Sequence, residues 1–360
     1  MFLILTINPG STSTKIALFE DENCILREEI YHSPEELLQY KRIVEQYPLR
    51  RDAVLKFLEK SGVALSSLSA VVGRGGIMRP LESGTYLINQ KMLEDLGAPK
   101  EREHASNLGA FLAYEIAQKA GVPAFVVDPV CVDEFDDIAR ISGLPEIERK
   151  SLSHALNLKA AGRKAGRDLG KSYQELNLVI VHMGGGISVS AHRKGRMVDV
   201  NQALDGTGPF SPERAGGLPI GDLIRMCYSV PPYDKTRYTY EEMIIKVTRR
   251  GGLLAHLGTN DAREVEKRIA QGDERARLIY EAMAYQIAKE IGAMATVLKG
   301  EIDAIVLTGG LARSEMLVGW IKERVGWIAP ILVYPGEDEM LAMAQGALRV
   351  LRGEEKAKEY

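Results

Sequence analysis

Three short turns carry residue types suited to holding phosphate. "NPGSTSTK" (8–15) packs a glycine, four hydroxyl side chains and a lysine behind the apolar run "FLILTI". "HMGGGIS" (182–188) and "LTGGLARS" (307–314) likewise follow apolar runs. Glycine lets backbone N–H groups approach phosphate oxygens, and successive N–H groups make an anion nest. The third turn is expected to open a helix, whose N-terminus favours negative charge. A Walker-type loop needs Gly-Lys-[Ser/Thr] leading into a helix. No glycine precedes Lys15 and the residues after it read as strand, so the first turn is a polar β-hairpin. His182 ends a strand just before three glycines, placed to donate a hydrogen bond to a γ-phosphate. Asp128 ends the strand "AFVVD", where an open α/β sheet places its site. No HExxH-like metal spacing occurs, and Ser211 in "GTGPFSPERAGG" lacks the GxSxG context of a serine hydrolase.

The elements that must position these residues follow from hydrophobic periodicity. "MFLILTI", "KIALFE" and "CILREEIYH" read as three successive strands. Helices are expected over "SPEELLQYKRIVEQY" and "RRDAVLKFLEKSG", then the strand "LSAVVGRGG", the short strand "GTYLIN" and the helix "QKMLEDLG". "APKEREHAS" is expected to be a loop, "NLGAFLAYEIAQKAG" a helix closed by Gly121 with Pro123 beyond it, and "PAFVVDPV" a strand. A second half starts near residue 150 with a long helix over "IERKSLSHALNLKAAGRKAGRDLG". "LNLVIVHMGGGISVSAHRKGRMVDV" then repeats the strand–turn–strand–turn–strand pattern of the N-terminus. Helices over "ERARLIYEAMAYQIAKEIGAMATVLKG", "RSEMLVGWIKERVG" and "DEMLAMAQGALRVLRG" and strands over "DAIVLTGG" and "APILVYPG" complete it. The pattern implies an internal duplication: two α/β domains, each a mixed sheet flanked by helices, with a cleft between them. The expected domains are 1–150, joined by the C-terminal helix 338–353, and 151–337.

The 360-residue length suits two domains of ordinary size. With 45% hydrophobic and 26% charged residues the composition is that of a soluble globular protein. A net charge of −3 and no block of like charges give no sign of a nucleic-acid partner. Cys24, Cys131 and Cys227 form no CxxC pair, which suits a reducing compartment. The N-terminal apolar run is short, lacks a basic leader and stops at Pro9, and no apolar stretch approaches the roughly 20 residues of a membrane span. A cytoplasmic location without membrane contact is therefore expected.

Paired hairpins that cradle phosphates resemble the superfamily of actin, hexokinase and the heat-shock chaperone ATPases, whose domains are ribonuclease-H-like. Within it, "NPGSTSTK", "HMGGGIS", "TNDAR" (259–263), "VLTGGLARS" and "YPGEDEMLAMAQGALR" resemble, in order, the phosphate, adenosine and C-terminal acidic-helix motifs of the acetate and butyrate kinase family. The likeness runs from residue 4 to about 349. Pro9, the triple glycine, the "GEDEM" segment and the short length resemble the butyrate branch more than the acetate branch.

The resemblance implies reversible phosphoryl transfer between ATP and a short-chain carboxylate, giving ADP and an acyl phosphate, with Mg²⁺. A carboxylic acid is already ionised at pH 7 and needs no general base, so positioning and positive charge carry such a reaction. It implies that Arg74 and Arg214 contact the carboxylate and the transferring phosphoryl group, as a guanidinium fork suits. It places Asp128 and Glu339 near the magnesium, with Glu337 and Asp338 as rivals for Glu339. Asn8, Ser11, Ser13, Lys15, Gly184, Gly185 and Gly186 would line the phosphates, and Asp261, Arg263, Gly309 and Gly310 the adenosine side. His154 aligns with the second histidine of a family segment whose first histidine falls on Lys150; His104 is out of register with another family histidine. Acetate kinases carry a valine where Gly76 stands beside Gly75. The lost volume is expected to admit a longer acid, each buried CH₂ contributing ~0.8 kcal/mol, and so to favour butyrate or isobutyrate over acetate. Acetate or propionate kinases, sugar or polyol kinases of the same superfamily and a nucleotide-binding switch are the alternative readings. Relatives form dimers or larger homo-oligomers, and the same is expected here.

Overall fold

The computed structural model describes residues 1–98, 104–204 and 206–360, so most of the "APKEREHAS" loop lies outside the described residues. The chain divides into two units, Met1–Asp133 with Asp338–Tyr360, and Glu134–Glu337. The division falls after Asp133, ahead of the expected boundary at 150. The reason is a set of bonds that tie the intervening stretch to the second unit. Glu134 accepts from Lys159 Nζ (2.5 Å) and from the Met197 N–H (2.8 Å), and Arg149 pairs with Asp199 at 2.7 Å. The Asp136 N–H donates to Val198 O at 3.1 Å.

The first unit holds a six-stranded sheet: β1 (Leu3–Pro9), β2 (Ser13–Glu20), β3 (Asn23–Tyr31), β4 (Ala70–Gly73), β5 (Thr85–Leu87) and β6 (Ala124–Val127). Its order is β3-β2-β1-β4-β6-β5. β1 to β3 form an antiparallel meander, and β1, β4 and β6 run parallel. β1 is buried along nearly its whole length because both its faces are covered. β3, at the edge, is largely exposed and carries charged residues that discourage further pairing. The helix Leu108–Ala120 packs on the sheet and closes at Gly121 in the left-handed conformation. It approaches so closely that a Cβ on Gly109 would lie 2.4 Å from Arg74 O. The helix Glu339–Leu351 lies against β1 and β6, where Gly346 leaves room for Val127.

The second unit holds β7 (Asn177–Met183), β8 (Ile187–Arg193), β9 (Arg196–Val200), β10 (Ala304–Gly309) and β11 (Ile331–Pro335) in the order β11-β10-β7-β8-β9. Helices Glu274–Val297 and Glu315–Val325 share its core with the inward residues of β7, β8 and β10. The order β3-β2-β1-β4-β6 recurs as β9-β8-β7-β10-β11, with the same strand directions. Each meander has a register shift at a matching place, Leu18/Phe19 and Ala191/His192. The duplication read from the pattern is thus present in the topology. Among the described residues no helix is long and apolar enough to cross a membrane.

Three elements differ from expectation. "SPEELLQYKRIVEQY" forms a short helix, Pro34–Leu38, and a 3-10 turn, Ile43–Gln46. The break falls at 39–42, and Pro48 sits in the first turn of the next helix, Tyr47–Ser61, where its missing N–H is tolerated. The helix expected from Ile147 begins only at Ala155. Before it, the Arg149 N–H bonds Arg140 O, and Leu152 O accepts from the Ala203 N–H. The "LTGG" turn enters a 3-10 turn, Gly310–Arg313, and the helix starts at Glu315 with Ser314 as its cap. Residues 220–270 also hold four helices, Ile220–Cys227, Tyr240–Arg249, Gly252–Leu257 and Ala262–Ala270, that the periodicity reading leaves unassigned.

Candidate functional site

In the first unit, the register Ile7↔Gly73 and Gly73↔Val126 sets the carboxyl ends of β1, β4 and β6 side by side. Asn8, Arg74 and Asp128 therefore leave the sheet along one edge, where an open α/β sheet binds its ligands. The helix Glu339–Leu351 brings a carboxylate to this edge. Asn8 Nδ2 donates to Glu339 Oε2 at 2.6 Å, and Arg74 Nη2 lies 3.5 Å from Glu339 Oε1. Arg74 is 6% exposed, and its Nη1 is buried without a hydrogen-bond partner. Leaving such a donor unmet costs about 1–3 kcal/mol or more, a cost that a bound anion would remove. Asp128 is fully buried and adopts φ 38°, a left-handed conformation rare outside glycine. Its Oδ1 accepts from Ser83 Oγ (2.6 Å) and the Gly84 N–H (2.8 Å), so the 83–84 loop holds it in place.

The β1–β2 turn is closed by the Gly10 N–H donating to Ser13 O at 2.8 Å. Ser11 is exposed; Ser13 Oγ donates to Glu29 at 2.8 Å, and Lys15 Nζ lies 4.0 Å from the same carboxylate. Arg50, absent from the sequence reading, lies buried beneath this turn. A signal for it existed: Arg50 stands at the head of the stripe Val54, Phe57 and Leu58, a helix face that is otherwise apolar and buried.

The expected opening at Gly75 and Gly76 is not present. A Cβ on Gly76 would lie 2.0 Å from Asn107 Oδ1, and one on Gly75 would lie 2.5 Å from Val126 Cγ1. The volume that a side chain vacates here is occupied by Asn107, Val126 and Pro129, so these glycines serve close packing. Asn107 Oδ1 also accepts from the Ile77 N–H at 3.1 Å, which fixes it there.

In the second unit, His182 ends β7 beside Thr308 at the end of β10. His182 is 2% exposed, its Nε2 lies 3.2 Å from Glu337 Oε2, and its Nδ1 is buried without a partner. The His154 ring packs on the His182 ring at 4.5 Å between centroids and bonds Ser188 Oγ through Nδ1 at 2.8 Å. The glycine turn folds on itself, the Gly184 N–H donating to Gly186 O at 3.0 Å. Arg214 lies over this turn. A Cβ on Gly186 would meet its Nη1 at 2.0 Å, and Nη1 donates to Ala203 O at 2.5 Å. Ser211 Oγ anchors the loop to the turn by donating to Gly185 O at 2.5 Å. Beside Arg214 a small hollow of mixed character is lined by apolar Ile187, Leu204 and Val247 and by polar Gln202, Thr207 and Ser211.

The remaining expected residues have local partners. Asp261 caps the helix Ala262–Ala270 and pairs with Arg263 at 2.7 Å, which holds its carboxyl down at about 2. Asn260 Nδ2 donates to Glu213 Oε1 at 2.7 Å, linking this segment to the Arg214 loop. Gly309, at φ 94°, lets β10 end against Met183, where a Cβ would sit 2.4 Å from Met183 O; around Gly310 the space is open. Lys150 is exposed, and His104 caps a 3-10 turn by accepting from the Ser106 N–H. The three acidic neighbours divide: Glu337 bonds His182, Asp338 caps the last helix, and Glu339 meets Asn8 and Arg74.

Among the described residues no cluster of three or more His, Cys, Asp or Glu side chains converges on a metal position. Mg²⁺ bound with a nucleotide needs one or two carboxylates, phosphate oxygens and water, so Glu339 and Asp128 suit that donor set.

Residues 149–321 match the acetokinase family model. The matched stretch takes in His154, His182, the three glycines, Arg214, Asp261, Arg263, Gly309 and Gly310. Among solved structures the chain is similar to an acetate kinase from Porphyromonas gingivalis, with 18% identity over 98% of this chain and 100% of that one and a TM-score of 0.79. It is also similar to a propionate kinase from Francisella tularensis subsp. tularensis SCHU S4, at 20% identity over 96% and 99% of the two chains and a TM-score of 0.74. An acetate kinase from Entamoeba histolytica gives 16% identity, 96% and 98% coverage and a TM-score of 0.74. These likenesses establish the two-domain α/β fold with mixed sheets flanked by helices.

Proposed function

We propose that the protein is a carboxylate kinase of the acetokinase family, transferring the γ-phosphoryl group of ATP to a short-chain fatty acid and back. A carboxylate oxygen forms the new P–O bond as the bond to the ADP oxygen breaks, in line and without a covalent enzyme intermediate. The observation that carries this reading is the acetokinase match over 149–321. The unmet buried nitrogens of Arg74 and His182 give it chemical content. Two anions must meet in this reaction, and a buried guanidinium such as that of Arg74 offsets their repulsion. In this reading Arg74 and Arg214 take carboxylate and phosphoryl oxygens through their forks. His182 turns its Nδ1 toward the phosphoryl group while its Nε2 faces Glu337, and the two hairpin turns take the phosphates. Glu339 and Asp128 would hold Mg²⁺, which when bound neutralises charge on the phosphates.

We propose a four-carbon acid, butyrate or isobutyrate, as the preferred acceptor. Support comes from the sequence likeness to the butyrate branch; Gly76, packed against Asn107, does not contribute to it. Acetate or propionate is the second reading, favoured by the solved structures of similar fold. The test is a panel of acetate, propionate, butyrate, isobutyrate, glycerol and glucose with ATP and Mg²⁺, trapping acyl phosphate as its hydroxamate and following ADP. Hydroxamate peaking at four carbons is the expected result. A peak at acetate overturns the chain-length assignment alone. ADP release with glycerol or glucose and no hydroxamate overturns the carboxylate reading.

A further inference from the structure

Arg50 reaches under the β1–β2 turn from the helix Tyr47–Ser61 and is fully buried. Its Nη1 donates to Ser13 O (2.9 Å) and Thr14 Oγ1 (3.2 Å). Its Nη2 donates to Ser11 O (3.4 Å) and Gln46 Oε1 (2.9 Å), and Nε to Gln46 Oε1 (3.2 Å). Every one of these acceptors is neutral, and among the described residues no carboxylate pairs with it. A buried cation without a counter-charge is unfavourable, and an anion bound close to it would relieve that cost. The same bonds orient the turn. In a planar trans peptide C=O and N–H point opposite ways, so holding Ser11 O inward turns the Thr12 N–H outward, the disposition of an anion nest.

We propose that Arg50 is a positioning residue for phosphate binding at the β1–β2 turn. It fixes the carbonyls of Ser11 and Ser13 and places a desolvated positive charge behind the anion seat, without itself touching the ligand. This rests on the reading above that the turn takes nucleotide phosphates. A unit charge acting through a turn's thickness at intermediate dielectric changes anion affinity by about 10- to 30-fold.

The test measures ADP and pyrophosphate binding by calorimetry on the full chain, with the KM values for ATP and for the acid. Arg50→Met is expected to weaken ADP and pyrophosphate about 10- to 30-fold and to raise the ATP KM while leaving the acid KM in place. Arg50→Lys, which keeps the charge but not the fork, is expected to fold even where Arg50→Met does not and to lose severalfold in ADP affinity. A folded Arg50→Met or Arg50→Lys protein that binds ADP as the wild type does overturns the role of Arg50. An equal loss in the ATP and acid KM values also overturns it, because that is the mark of general misfolding. If the wild type binds neither ADP nor pyrophosphate, the phosphate reading of the turn itself is overturned.

Discussion

Replacing Gly76 separates two accounts of acid choice. If the glycine borders the acid, Gly76→Val should convert the protein toward acetate with little effect on folding. The structure leads elsewhere. A Cβ at position 76 would lie 2.0 Å from Asn107 Oδ1 and 2.7 Å from Asn107 Cα, where real contacts start near 3.0 Å. The amide must therefore retreat by 3.0 − 2.0 = 1.0 Å and the Cα by 3.0 − 2.7 = 0.3 Å. Swinging the amide away strands the Ile77 N–H, at about 1–3 kcal/mol. Moving the Cα displaces the start of the helix Leu108–Ala120, which is already fixed where Gly109 meets Arg74, and overpacking of this kind costs about 1–3 kcal/mol. By either route Gly76→Ala should cost about 2 kcal/mol, and Gly76→Val more. For a unit of this size that corresponds to a loss of roughly 4–8 °C in Tm. Activity should fall for all acids alike, because the displaced helix presses on the Arg74 backbone at Gly109. Circular-dichroism melts and hydroxamate rates for four acids read both effects. Adding Asn107→Ala to Gly76→Ala should recover part of the loss, a coupling of about 1 kcal/mol. A Gly76→Val protein that melts with the wild type and turns over acetate faster relative to butyrate would refute the reasoning.

Three further outcomes follow from the geometry. Arg74→Lys keeps the charge but loses the fork with its unmet Nη1, and kcat/KM for the acid should drop about 30- to 150-fold, the loss of one charged hydrogen bond of about 2–3 kcal/mol, with melting little changed; unaltered turnover would remove Arg74 from the site. Gly186→Ala places its Cβ against the flexible end of Arg214, so it should melt like the wild type while losing at least about tenfold in kcat; full activity would show that Arg214 does not act from where it sits. Glu290 is held above the ordinary carboxyl value, first by burial and then by the Asp199 charge, with Arg149 and Lys289 opposing. Its ionised form is thus penalised in the folded state, fully above the folded value and not at all well below the ordinary 4.5. Glu290→Gln should therefore raise Tm at pH 7, with the gain shrinking as pH falls toward 4.5; a gain equal at pH 7 and pH 4 would contradict this.

What the sequence reveals here depends on how local the cause is. The strands flanking "NPGSTS" and "HMGGGIS" are legible because period and punctuation lie within a few residues of each other. The helix at 108–120 is legible because Gly121 and Pro123 mark its end. The helix start at Tyr47 is legible from Pro48 in its first turn, but the late start at Ala155 follows from bonds to Arg140 and Ala203, which are not. The unit boundary depends on Glu134 meeting Lys159 and on Arg149 meeting Asp199, pairs that no spacing rule connects. Gly76 shows the same limit from the other side. Its missing side chain is read easily, but whether the space goes to a ligand or to Asn107 is decided by a residue 31 positions away (107 − 76).

The two meanders share a topology, yet their turns differ in sequence and in where an arginine lies against them. At β7–β8 the Arg214 guanidinium lies over the turn and occupies the place where a side chain on Gly186 would stand. Glycine is forced there by the arginine as much as by any phosphate. At β1–β2 the charge comes from Arg50 on the buried side, through the carbonyls of Ser11 and Ser13. A Cβ on Gly10 would meet only Ser13 atoms at 3.6 and 3.7 Å, ordinary contact distances. Side chains are tolerated on that turn, and the sequence fills it with serine and threonine. One duplicated hairpin thus receives its cation from below and keeps hydroxyls, while the other receives it from above and keeps glycines. In the proposed reading of both turns as phosphate seats, a glycine-rich and a hydroxyl-rich turn meet the same electrostatic requirement, distinguished by which face of the hairpin the arginine occupies.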